Sequence, residues 1–450
     1  MAAYLRRVLS FSFDIKLFLL YNLLANIGFG TIELVFNFYL LELGHREDFI
    51  GEWRAVQTVS MAVAALTIGF WINRFGPWKT IVSGFAIFSL SSFGLGFAEQ
   101  TWMLFALGIL FGAGLSCLFN PLMPFVMEYA AGDERPYVSA VSFSLISFSI
   151  MIGSLVGGFF PSLIARITPS VDVGSLQAYR AAILAGAVIA ASGLVPLLMM
   201  QKPRERWSPR DTRAEARSES AMARKQVRLD VLLFVIVGGL MSIGVGMVQP
   251  FFNVFLKDLG ASDNEVGFIY ALGGLVAAVI GLAAPLLANK LGSLNAVLVL
   301  RLSIVPFYVL LIFTPSIGLA VLAFLIRQAS ISMAWPIDST FISEVLPPRA
   351  RAGVFGLRSS AWNGGFALAS YIAGRIIVDR GYDLTFVSMV VFSAASAVVY
   401  FLYYSRHPAI TSGRVPSAIS PRKRSLALET SSRNDQNVRE SEGNAKASVS

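Results

Sequence analysis

The feature that most limits what this chain can become is a succession of about twelve apolar runs, each long enough to cross a lipid bilayer. A crossing helix needs roughly 20 mostly apolar residues. The runs fall at 17–40, 51–72, 79–98, 101–128, 138–164, 178–200, 230–256, 265–288, 294–313, 317–343, 352–377 and 384–404, and are called spans 1 to 12 below. Backbone groups in hydrocarbon have no water to pair with, so helices are the default use of such runs. A β-barrel would need short alternating segments, and the sequence lacks them. Composition agrees: 55% of residues are hydrophobic and only 14% charged, with mean hydropathy +0.66. The predicted fold class is an all-α membrane protein with 12 transmembrane helices.

Two octets organise these runs. Gly69-Phe-Trp-Ile-Asn73-Arg74-Phe-Gly76 closes span 2, and Pro285-Leu-Leu-Ala-Asn289-Lys290-Leu-Gly292 closes span 8. Both read small-or-Pro, three apolar residues, Asn, a cation, an apolar residue and Gly. The offset of 216 residues recurs between Val35–Gly44 and Phe251–Gly260, which align without gaps at five identities in ten positions. At the same offset Gly51 matches Gly267, Gly158 matches Gly374, and Glu128…Arg135 matches Glu344…Arg351. Spans 1–6 and 7–12 are therefore two copies of one unit, in the same orientation because six is even. Parallel six-helix halves are the architecture of one transporter class. The expected division is a tail over 1–16, a first bundle over 17–200, a linker over 201–229, a second bundle over 230–404, and a disordered tail over 405–450.

The net charge of +9 is concentrated at the start, from Lys202 to Arg228, and after Arg406. With an even number of spans these places share one side, and the positive-inside rule makes it the cytoplasm. The expected location is a plasma or inner membrane with both termini cytoplasmic. Nothing here asks for nucleic acid. Cys117 is the only cysteine, which excludes an internal disulfide. His45 and His407 are too few for a His-based metal site. There is no phosphate-binding loop, H-E-x-x-H or G-x-S-x-G, so neither an enzyme nor an ATP-driven pump is expected, and no cofactor or metal.

The octets are similar to the best-known signature of the major facilitator superfamily, G-x-x-x-D-R-x-G-R-[RK], in the loop between spans 2 and 3. Gly69, Arg74 and Gly76 match it, Asn73 stands where Asp is usual, and Pro77-Trp78-Lys79 keeps part of the basic end. The weaker copy is Asn289-Lys290-Leu291-Gly292. The acid-then-Arg pairs after spans 4 and 10 also resemble the family. The resemblance implies two pseudo-symmetric bundles, working as a monomer around a central cavity, and a latch of the outward-facing state at the octets. A basic loop that merely sets topology is the alternative for those residues. Gly76 and Gly292 permit the tight turns there.

Four residues of span 1, Asn26, Gly30, Glu33 and Asn37, lie on one helical face. The repeat maps them onto Ser242, Gly246, Gln249 and Asn253 of span 7. A polar stripe inside a membrane faces the protein interior or water, and the resemblance places both stripes on the central cavity. Glu33 is the only acid well inside span 1, and its counterpart Gln249 is neutral. The resemblance suggests a proton or substrate site at Glu33, whereas a structural ion pair is the other reading. Arg327, deep in span 10, would bind an anionic group, pair with Glu33, or form a structural salt bridge. Asp338 and Arg358 form a candidate inner gate or a static pair. Trp335, Trp362 and Asn363 are candidate ligand contacts. Pro121 and Pro336 are expected to kink spans 4 and 10. The functional expectation is a secondary active transporter of a small organic solute, by alternating access, with H+ as candidate coupling ion and the lipid bilayer as its surroundings. Drug or metabolite export, nutrient import, and a non-transporting sensor of the same fold remain open.

Overall fold

The computed structural model describes residues 11–130, 134–201, 221–346, 348–407 and 410. Most of the expected tails and linker lies outside the described residues. Span 1 is the helix Phe13–Glu42, span 2 is Glu47–Phe75, span 3 is Pro77–Leu95 and span 5 is Arg135–Ile167. Span 10 is Ile317–Val345, span 11 is Pro348–Arg380 and span 12 is Asp383–Tyr404. The others are interrupted. Span 4 is Thr101–Phe119 then Leu122–Tyr129, span 6 is Leu176–Ser192 then Leu194–Met199, and span 8 is Asp263–Gly281 then Ala284–Leu291. Span 9 is Ser293–Ser303 then Val305–Phe313, and span 7 is Ala221–Val248, a tighter turn Gln249–Phe251, and Phe252–Asp258. No β-strand occurs among the described residues.

Ten helical stretches are long and apolar enough to cross a membrane by length and composition. The helices Pro77–Leu95 and Pro348–Arg380, at the two remaining expected spans, are as long but less apolar. Proline explains several breaks: Pro250, Pro285 and Pro306 each sit in the first turn of the segment that resumes the span, where a missing N–H costs nothing. Pro121 likewise separates the two parts of span 4. Pro336, expected to act in the same way, lies inside an unbroken helix. Both octets end in the same turn, with Gly76 at φ 86° and Gly292 at φ 79°, a region that favours glycine.

The two halves meet most closely at the end of the bundle away from the octets. There the glycines matched by the repeat pair crosswise. A Cβ on Gly51 would lie 2.4 Å from the Ser370 carbonyl oxygen, and one on Gly374 would lie 2.4 Å from that of Glu47. A Cβ on Gly158 or Gly267 would lie 2.6 Å from the other's Cα. Only glycine lets these backbones approach so closely. One hydrophobic core joins both halves at this far end and continues through the first half to Phe125 and Leu197 near its octet end. A second, built on Phe234, Leu294, Val297, Phe341 and Tyr400, fills the octet end of the second half alone.

Candidate functional site

Glu33 projects from span 1 and accepts from the Arg54 guanidinium at 2.8 Å. Arg54, from span 2, also donates to Gln57 Oε1 at 3.2 Å. The Glu33 side chain is 37% exposed and that of Arg54 7%. Of the alternatives left open by the sequence, Glu33 has an ion pair, but with Arg54 of its own half and not with Arg327. Sequence reading missed Arg54, although a lone cation deep in an apolar run is a signal in itself. Its repeat counterpart is Tyr270 of span 8, whose ring lies 4.8 Å from that of Phe324, the ring against which Arg327 rests.

Arg327 is 1% exposed and donates to Gln249 Oε1 at 3.2 Å. Its guanidinium carbon lies 5.3 Å from the Phe324 ring centre and 6.0 Å from that of Phe252. Its Nε has no hydrogen-bond partner among the described residues. Gln249 itself is exposed, at the turn that breaks span 7. The symmetry-related positions Glu33 and Gln249 thus each hold a guanidinium of their own half, delivered by different spans.

The rest of the two stripes is used for packing. Gly30 lies against the Ile150 backbone of span 5, and Gly246 against Phe366 of span 11. Ser242 is fully buried and bonds to the Gly239 carbonyl. Asn26 donates to the Asn22 carbonyl at 2.8 Å and lines a small cleft between spans 1 and 4. Asn37 and Asn253 were expected on the cavity wall and are found in the seal between the halves. Asn37 Nδ2 donates to Asn253 Oδ1 at 2.9 Å and to the Pro250 carbonyl at 2.6 Å, while Asn253 Nδ2 donates to the Leu34 carbonyl at 2.9 Å. Two residues matched by the repeat meet each other because they flank the pseudo-twofold axis. Around them the halves are tied by Ser162 to Asn264 at 2.8 Å, Tyr179 to Asp263 at 2.8 Å, and Arg375 to Glu52 at 3.2 Å.

Asp338 and Arg358 do pair, and both are buried. The carboxylate also accepts from Tyr400 at 2.8 Å and Arg301 at 3.4 Å. Arg301 donates in addition to Ser396 at 2.6 Å. All of these groups belong to spans 9 to 12, so the pair ties one bundle together and does not bridge the halves as a gate between them would. Two guanidiniums against one carboxylate leave a net positive charge beside a cavity of about 40 Å³ that Trp335 and Trp362 also line. The Trp335 and Trp362 rings meet edge to face at 6.1 Å. The Asn363 amide donates to its own helix, at the Ser359 carbonyl.

At the octets Asn73, Arg74, Asn289 and Lys290 are exposed. The Arg74 guanidinium rests 5.7 Å from the Phe75 ring. Cβ positions built on Gly69, Gly356 and Gly364 meet no atom within 4 Å. Among the described residues, the hydrogen bonds that tie the halves together lie at the far end and seal the bundle there. No group of metal-ligating side chains occurs among the described residues.

A sequence model of the Major Facilitator Superfamily matches residues 18–351. The chain is 22% identical to multidrug resistance protein MdtG of Proteus mirabilis (strain HI4320), over 85% of this chain and 92% of that one. It is 19% identical to a multi-drug resistance efflux pump PmrA homolog of Lactococcus lactis subsp. lactis (strain IL1403), over 81% and 87%. Among solved structures, a bacterial homolog of the human lysosomal transporter Spinster, in an inward-facing and occupied conformation, aligns with TM-score 0.70 at 14% identity over 90% of this chain and 98% of that one. The nucleoside transporter NupG aligns with TM-score 0.68 at 13% identity, over 88% and 99%. At such identities the structural likenesses carry the fold alone.

Proposed function

Because the chain belongs to the major facilitator superfamily, we propose that it is a secondary active exporter of small amphipathic organic solutes, driven by protons bound at Glu33. The observation that carries the reading is the Glu33–Arg54 pair. A carboxylate more than a third exposed is held at 2.8 Å by an almost wholly buried guanidinium. Protonating Glu33 would leave Arg54 with neutral acceptors only, an expensive state for a buried cation. A conformation or ligand that restores a partner to Arg54 is then favoured in one protonation state only. Coupling requires that kind of difference between states.

The cation clusters favour a cytoplasmic octet end, which would receive solute from inside the cell. The names of the relatives favour export over import. Asp338 with Arg358 fixes the second bundle while it rocks, and the octets act as the latch of the opposite state. Arg327 favours solutes that carry a hydrogen-bond acceptor or an anionic group.

The test is dye transport in proteoliposomes under an imposed pH gradient. Wild type should drive an amphipathic dye uphill, whereas Glu33→Gln should lose the pH-driven component and keep downhill exchange. Full pH-driven transport in Glu33→Gln would remove the proton from this site. No dye-dependent flux in wild type would favour the sensor reading.

A further inference from the structure

Span 2 leaves its neighbours partway along its length. In its first half one face packs on span 4: Trp53 Nε1 donates to the Leu104 carbonyl at 3.0 Å, the Gln57 carbonyl abuts Gly112, and Ser60 donates to the Ile109 carbonyl at 2.6 Å. The same face continues through Ala64, Thr67, Trp71 and Phe75, and there it meets open space. Between it and Thr80, Ser83 and Ile87 of span 3, with Ala113 and Cys117 of span 4, lies a groove of about 530 Å³. Its walls are apolar at depth. Its mouth, at the Gly76 turn, carries Lys79, and Arg74 stands close by over Phe75.

The second half shows what this place looks like when it is filled. The counterparts of the groove residues, 216 positions on, include Ala283, Leu287, Leu291, Ala296 and Met333. Ala296 and Met333 are buried in the hydrophobic core at the octet end of that half and Ala283, Leu287 and Leu291 pack against it, whereas Ile280 and Val299, the counterparts of Ala64 and Ser83, are exposed. The place that is hollow in the first half is thus filled in part by the second half's own side chains. An apolar hollow of this size inside a bilayer is filled by something other than protein.

We propose that the groove between spans 2, 3 and 4 binds an anionic phospholipid of the surrounding bilayer. An acyl chain fills the apolar depth and the headgroup is held by Lys79 and Arg74. Three observations select this occupant. The groove reaches the Gly76 turn at the octet end of spans 2 and 3, at headgroup level. Its depth offers only small hydroxyls and apolar walls. Lys79 lines the groove and Arg74 rests over the lining residue Phe75, while spans 2 and 3 bring no acid between Glu52 and Glu99. Basic residues at the membrane surface draw anionic lipids in this way. The site does not depend on what the protein transports.

Cys117 lines the groove and is the only cysteine of the chain, so it reports occupancy without further engineering. The full-length protein in nanodiscs would be treated with an apolar maleimide, in phosphatidylcholine alone and with added phosphatidylglycerol. Lipid retained by the purified protein would be counted by native mass spectrometry in parallel. Phosphatidylglycerol should slow Cys117 modification at least threefold and remain as a discrete adduct. Lys79→Glu should abolish both effects, while Lys290→Glu in the other half should leave them intact. Equal modification rates and no adduct in wild type would overturn the proposal. So would protection by glycerol phosphate, which has no acyl chain, or by a transported dye in phosphatidylcholine, which would make the groove part of the solute path.

Discussion

Arg327 asks a question that one substitution answers. A buried guanidinium with a single neutral acceptor, two aromatic neighbours and an unpaired Nε costs several kcal/mol to desolvate. If its charge serves transport, Arg327→Met should leave the unfolding temperature unchanged or higher, because apolar replacements of buried ions are often neutral or stabilising, while transport falls at least tenfold. A loss of more than about 3 kcal/mol in stability would instead make it a structural residue. That Arg327 is unusual was legible in the sequence, since an Arg deep in an apolar run needs a reason. Its partner was not legible. Helical spacing tells which residues share a face, but not which neighbouring span offers a second polar group. Arg54 outcompetes Arg327 for Glu33 because span 2 lies beside span 1 in the same bundle.

At the scale of elements, glycine decides how closely the spans approach. Gly158 and Gly267 touch backbone to backbone, so Gly158→Leu should prise the far end open. An Asn264→Cys reporter in a Cys117→Ser background should then react at least five times faster with an impermeant maleimide. Gly267→Leu should act in the same way by symmetry. Gly318→Leu, built into open space, should not. Unchanged reactivity in both glycine variants would show that the seal does not depend on these crossings. The sequence already matched Gly51 with Gly267 and Gly158 with Gly374. Their crosswise pairing follows from the twofold relation between the halves, which an alignment of the repeat does not display.

At the scale of the whole molecule, the far end is sealed by hydrogen bonds between the halves. Ser162 and Asn264 lie within 2.8 Å across the seal. With Ser162→Cys and Asn264→Cys on a Cys117→Ser background, a short thiol-specific cross-linker should lock the far end and stop transport. Dithiothreitol should restore it when the linker carries a disulfide. Transport that persists at full cross-linking would mean that the halves need not part there.

The sequence by itself determined the class, the twelve-span helical plan, the internal repeat and the family. All of these depend on one-dimensional quantities, namely run length, hydropathy and fixed offsets. It also fixed the two octet turns, since Gly76 and Gly292 supply a local backbone conformation that needs no distant partner. Only the tertiary structure decided what each polar residue does. It moved Asn37 and Asn253 from the cavity into the seal, gave Glu33 to Arg54, added Arg301 and Tyr400 to Asp338, and left hollow in one half a site that the other half fills in part. These outcomes depend on which faces of neighbouring helices meet and how closely. That is set by the sum of packing over whole spans and by the twofold relation of the halves, and no local stretch of sequence carries it.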